Sequence, residues 1–371
     1  MKWRERGIYM LSLLISILLG LGVGALLMLA TGHDPIAGYR AMIEGALGDK
    51  WAPDTILRNS GLGNTLYRAS LLMITGLATA VASDAGLFNV GGQGQMLLGA
   101  LVAAFLGAQM TTLLPFTAGW PVWLITAVCL IAAVLAGMIF ALIPALMKIK
   151  LNISEVVTTI LLNSVALYFC TYMANGPLKA PGKGSQTAVI LGDLNFTRFF
   201  TPSNLSQAVF IVAGITLLVW YIMNRSSWGY EMRMTGQNSR FAKFSGLKDG
   251  KLAVAGMLIS GAMCGAVGML EVFGWKHRYG VDLSTDFYWD GMLVAMIMRY
   301  KPLGIILMSF FFGILKAGAI KIQSSAGIPI EIIQVIQSII IFFMAAEQGL
   351  IQRFQVWRAR RHPRREEVKR A

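Results

Sequence analysis

The sequence predicts an all-α integral membrane protein, a polytopic bundle of about ten transmembrane helices forming one domain over residues 1–371. Three observations carry this. Charged residues make up 13% of the 371, about half the share in a soluble domain, and the mean hydropathy is +0.63. Ten apolar runs approach the ~20 residues needed to cross a bilayer. Of the 32 Lys and Arg, 21 fall at the two ends and in alternate connections. The positive-inside rule then places both termini in the cytosol.

The expected spans are 8–31, 64–83, 93–110, 120–147, 153–174, 206–224, 252–274, 288–299, 303–320 and 330–348. The first follows Lys2, Arg4 and Arg6. Its apolar stretch exceeds the 7–15-residue core of a signal peptide and reads as a retained anchor. Two long outer connections follow from the topology, 32–63 and 175–205. They either cover helix ends or meet an extracytoplasmic partner. Between spans two and three lies SDAGLFNVGGQGQMLLGA, Ser83 to Ala100. Each Gly inside a helix costs roughly 1 kcal/mol against Ala, so this piece is expected to be non-helical. At membrane depth it must lean on neighbouring helices or line a pathway, unless it is an ordinary turn.

Span five opens with Asn152, Ser154 and Glu155, and Glu155, Thr159 and Asn163 recur every four residues as a polar stripe. Asn152 and Glu155 have capping-box spacing. Asn163 suits either interhelical hydrogen bonding or a pathway lining. The span at 288–299 is too short to cross ~30 Å at 1.5 Å per residue. It either starts near Phe287 and runs through Arg299 or belongs to a broken helix. Glu271, Asp290, Lys316 and Glu331 are expected near the outer interface and Asp84 near the inner one. The basic tail within 349–371, from Arg353 to Arg370, suits anionic lipid headgroups better than nucleic acid.

Nothing in the chain looks catalytic. His33, His277 and His362 are scattered, and Cys129, Cys170 and Cys264 sit in apolar segments without a CxxC pair, so neither a metal site nor disulfides are implied. Gly182-Lys183-Gly184-Ser185 lacks the GxxxxGK[ST] spacing of a phosphate loop. A self-sufficient secondary carrier would place acids near the midplane, and the spans hold almost none.

The most informative segment is the inner loop Arg225 to Lys251. Its spacing of Gly229, Glu231, Arg233, Gly236, Asn238, Ala242 and Gly246 resembles the cytosolic coupling loop of permease subunits in ATP-binding-cassette importers. The family is the one serving branched-chain amino acids, simple sugars and nucleosides. Gly86 to Gln95, GLFNVGGQGQ, is very like that family's GLFNIGxEGQ, with Gln93 where Glu is common. Asp34-Pro35, Tyr39 and Glu44 to Gly48 resemble the outer loop of the nucleoside branch. Departures are Ser239 and Phe241–Ala242, where the family has Pro and paired alanines.

The resemblance implies a type II importer-like bundle in a bacterial cytoplasmic membrane. It implies that Asn89, Gly91, Gln93, Gln95, Glu155, Thr159 and Asn163 belong to the translocation pathway. It also implies an ATPase subunit that uses ATP and Mg, a second permease (a paralogue or a copy) and an extracytoplasmic binding protein. No cofactor is expected on this chain, and no nucleic acid. Turning at Gly236 and Gly246, capping by Asn238, and Arg233, Arg240 and Lys243 meeting an acidic or polar cleft are the expectations for the loop. The solute is expected to be neutral and polar, a nucleoside or a simple sugar.

Overall fold

The computed structural model describes residues 3–48, 60–199, 203–283 and 285–343, with side chains from Leu14 onward except at Ser60. The basic tail lies outside these residues. Thirteen helices are described: α1 (Trp3–Ala30), α2 (Pro35–Leu47), α3 (Ser60–Asp84), α4 (Gly92–Leu113), α5 (Val122–Leu151), α6 (Glu155–Asn175), α7 (Ala208–Arg225), α8 (Ser227–Gln237), α9 (Ser239–Phe244), α10 (Asp249–Glu271), α11 (Asp286–Ile297), α12 (Pro302–Ala326) and α13 (Glu331–Phe343). Among the described residues, each apolar run of the sequence falls largely in a helix, and seven helices are long and apolar enough to cross a membrane. The chain is thus a multi-pass membrane protein, and β pairing among these residues is limited to three isolated bridges.

The chain divides into two compact units, residues 47–314 and the pairing of 1–46 with 315–371. The division falls inside α12 rather than in a linker, which is why the sequence reads as one domain. In the terminal unit, α1 and α13 pack through small residues. A Cβ on Gly24 would collide with Ile336, and Met28, Ile336 and Ile340 are buried. The expected outer loop is partly helix α2, begun by Asp34, whose carboxylate accepts from Ile36 N at 2.9 Å. The Tyr39 hydroxyl donates to Leu21 O.

In the larger unit α10 is central, packed against α3, α4 and α5. Three glycines make this possible. A Cβ on Gly99 would lie 2.6 Å from Gly265 Cα, and one on Gly137 would lie 3.0 Å from the same atom. The helix backbones therefore touch, the small-residue packing favoured between membrane helices. The connection after α6, expected outside, is stitched to the chain after α10: Thr187 N donates to Tyr279 O, Ile190 N to His277 O and Phe196 N to Phe273 O, at 2.9, 2.9 and 3.1 Å. Glu271, expected near a wet interface, is fully buried in the field of Arg68.

Candidate functional site

Helix α3 ends in a Schellman motif. Gly86 adopts φ +83, Leu87 N donates to Ala82 O at 3.0 Å and Gly86 N to Ser83 O at 3.0 Å. Gly92, Gly94 and Gly99, expected in a non-helical piece, instead lie inside α4, where the missing Cβ admits neighbouring helices, and the non-helical run into α4 is residues 88–91. Their polar groups close on themselves. Asn89, fully buried, donates to Gln95 Oε1 and Ser260 Oγ, both at 2.9 Å. Its Oδ1 accepts from Gly91 N and Gln95 Nε2 at 3.0 and 3.1 Å. Asn163 reaches across from α6, accepting from Gly94 N and donating to Val90 O, each at 2.9 Å. These two buried backbone groups at the start of α4 have no partner within the helix and would otherwise be left unsatisfied.

Helix α11 enters the same cluster. The Tyr288 hydroxyl donates to Asn89 O, and a Cβ on Gly92 would overlap the Tyr288 ring. Gln93 donates to Thr285 Oγ1 at 2.9 Å and accepts from Trp289 Nε1 at 3.0 Å. The neutral amide in place of the family's acid supplies one donor and one acceptor. Thr75 Oγ1 donates to Phe287 O at 2.9 Å. Thr75 lies nine residues short of the end of α3, so α11 starts about 14 Å inside that end. This corrects the expected position of Asp290 at the outer interface. The chain re-enters after Lys276, and α11 is the broken-helix alternative.

Of the expected pathway residues, Asn89, Gly91, Gln93, Gln95, Thr159 and Asn163 gather here. The Thr159 side chain is what a Cβ on Gly91 would meet at 3.0 Å. Glu155 stands apart, ion-paired with Lys148 at 3.1 Å. The capping box is not formed. Asn152 closes α5 in a left-handed conformation (φ 53), and Ser154 precedes α6 with no side-chain cap. Thr285 and Trp289, beside Gln93, and the neighbouring Asp286 escaped the sequence reading, because only the return of the chain after α10 brings α11 here.

The loop expected inside is a helical pair. Ser226 caps α8 by accepting from Gly229 N at 3.2 Å, and Asn238 caps α9 by accepting from Phe241 N at 3.0 Å. Gly246, φ +81, makes the turn after α9. Gly236 does not turn the chain. It lies inside α8, where a Cβ would overlap Asp84 O and approach Gly86 N to 2.9 Å, so its role is close approach to the end of α3. Arg233, expected to meet a cleft on a partner, is tied into this chain. Its guanidinium is half-buried and donates to Met223 O in the last turn of α7, a favourable place for a cation. Lys243 pairs with Asp249 at 3.4 Å and Arg240 is exposed. Two rings face outward from α9, Phe241 at 52% and Phe244, which sequence reading passed over, at 92% exposure.

A family model described as "Branched-chain amino acid transport system / permease component" matches residues 61–345. The guanosine ABC transporter permease protein NupP of Bacillus subtilis is 29% identical, over 91% of this chain and 93% of its own length. The nucleoside ABC transporter permease protein NupB of Lactococcus lactis is 29% identical over 90% of each. The glucose ABC transporter permease protein TsgB13 of Haloferax volcanii is 25% identical over 92% and 88%. The same two bacteria carry matching permeases of like description, NupQ and NupC, at 25% and 22% identity over 67% and 70% of this chain and 78% and 81% of their own lengths. No solved structure matches.

Proposed function

The chain belongs to the branched-chain amino acid transport system permease family, and from that premise we propose that it is the nucleoside-carrying permease of an importer that pairs two different permeases. As a permease subunit of an ABC transporter it is a membrane protein of the pathway. ATP hydrolysis with Mg then belongs to a separate subunit, and solute arrives from an extracytoplasmic binding protein. The cytoplasmic membrane of a bacterium, with both termini inside, fits the charge asymmetry of 21 Lys and Arg in the inner segments.

The observation that carries this reading is full-length similarity to permeases named for guanosine and nucleosides. The pairing of NupP with NupQ and of NupB with NupC in single organisms supports a paralogous second permease. The α8–α9 pair suits the coupling role. It is seated on the end of α3 through Gly236 and presents Phe241 and Phe244 to a partner. A simple-sugar permease is the second reading, favoured by the Haloferax relative. The test is reconstitution of this chain with a second permease, an ATPase subunit and a binding protein in liposomes. ATP-dependent uptake of labelled guanosine, with ribose or glucose excluded, is the expected result. Uptake of sugar without nucleoside overturns the nucleoside reading.

A further inference from the structure

The polar residues first expected to line a pathway have their hydrogen-bonding groups committed elsewhere. Asn89 bonds Gln95 and Ser260, and Asn163 holds the start of α4. Contact with a solute must fall to side chains that remain accessible at the same depth. Trp289 is one. It is half-buried, and its single polar group is committed to Gln93, itself fixed by Thr285. The Tyr288 ring stands edge-on to it at 6.2 Å and 69°, anchored in turn on Asn89 O. An indole whose N–H is already satisfied and whose orientation is held from two sides offers a ligand only its π face. Asp286 is exposed three residues earlier in the first turn of α11. Residues three apart on a helix are neighbours on its surface. The pair thus sets a flat apolar face beside a hydrogen-bond acceptor, well inside the ends of α3. An ionisable group at such depth marks a pathway by default.

We propose that Trp289 and Asp286 form a solute-contact site within the pathway. The indole face stacks on a planar heteroaromatic ring, and the carboxylate accepts hydrogen bonds from the hydroxyls of an attached sugar. This deepens the nucleoside reading above and rests on it. Stacking on an aromatic side chain tolerates any base because every base has a π face. Direction within the site comes from the hydroxyl contacts.

The test uses the complete reconstituted importer and reads KM for uptake of guanosine and of 2′,3′-dideoxyguanosine. Trp289→Phe, which keeps an aromatic face, should hold the guanosine KM within about threefold of the unaltered protein. Trp289→Leu, of similar bulk without a face, should raise it about tenfold or more, toward the low end of what base stacking supplies. Asp286→Asn should raise KM for guanosine about tenfold and leave that for the dideoxy solute unchanged. Asp286 is exposed, so its replacement does not depend on repacking the core. Equal behaviour of the Phe and Leu variants overturns the stacking role, whether both are active or both damaged. Equal loss for the two solutes in Asp286→Asn overturns the hydroxyl contact. If the unaltered importer takes up ribose and no nucleoside, the substrate reading has failed, and that result is distinct from either of these.

Discussion

Two regions of this permease, each with a glycine at a close approach between helices, do opposite things. The knot around Asn89 directs its polar groups inward. Asn89 bonds Gln95 and Ser260, and Asn163 supplies both groups that the start of α4 lacks. The α8–α9 pair anchors one edge to the bundle and leaves the other open, with Phe244 at 92% exposure. Gly92 and Gly236 both mark close approach, but the first admits a ring from α11 and the second admits a carbonyl from α3. A knot that uses all its groups internally serves integrity. A seat with an outward face serves contact. Substitutions should therefore separate the two regions by what they damage.

The largest effect is expected in the knot. In Gly92→Leu the new side chain occupies the space of the Tyr288 ring, and overpacking of a filled core costs about 1–3 kcal/mol or more. Loss of monodisperse protein in size-exclusion chromatography is the expected outcome. A stable, active Gly92→Leu variant would show that α11 yields readily, and the knot would not be a rigid element.

Next comes Asn163→Leu, which keeps bulk and removes both hydrogen bonds to the start of α4. Each buried group left unsatisfied costs about 1–3 kcal/mol. The melting temperature of the purified chain should fall by several degrees. The same temperature in Asn163→Leu and in the unaltered protein would mean that Gly94 N and Val90 O find other partners.

Much of the fold was legible because its signals are local. Apolar runs marked the helices, seven of which among the described residues are long and apolar enough to cross a membrane, Gly86 marked the end of α3, and Asn238 two residues after Gly236 marked the cap of α9. What escaped depends on partners distant in sequence. Asn163 bonds residues about seventy positions away. Trp289 meets Gln93 only because the chain re-enters after α10. Asn152 and Glu155 have capping-box spacing, yet the left-handed backbone at Asn152 belongs to the end of α5. Spacing alone cannot tell a helix end from the start of the next.

The contact region should respond differently. Gly236→Val leaves the spans folded but pushes α8 off Asp84 O. Solute-stimulated ATP hydrolysis by the assembled importer should drop about tenfold with little change in melting temperature. Phe244→Ala removes an exposed ring and should weaken binding of the ATPase subunit without altering stability. A central aromatic anchor is worth upward of about 1–2 kcal/mol at an interface. Undiminished hydrolysis in both variants would remove α8–α9 as the coupling element.

The smallest effect separates seat from surface charge. Lys243 was expected to face a partner, yet its ammonium lies 3.4 Å from Asp249, with side-chain exposures of 66% and 24%. A pair this open to solvent contributes about 0–1 kcal/mol and is screened by salt. Asp249 keeps a second partner, because the Ser239 hydroxyl donates to it at 3.0 Å. Lys243→Ala should therefore leave both melting temperature and stimulated hydrolysis within about twofold of the unaltered importer. Arg240 has no such internal role and is exposed, so Arg240→Glu reports on the partner alone. Any attraction between an acidic cleft and α9 would appear there, as association slower than the unaltered protein's at low salt, with the difference vanishing as salt is raised and charges are screened. Should Lys243→Ala instead abolish hydrolysis while Arg240→Glu does nothing, Lys243 would be the docking cation. The ion pair with Asp249 would then be its resting position.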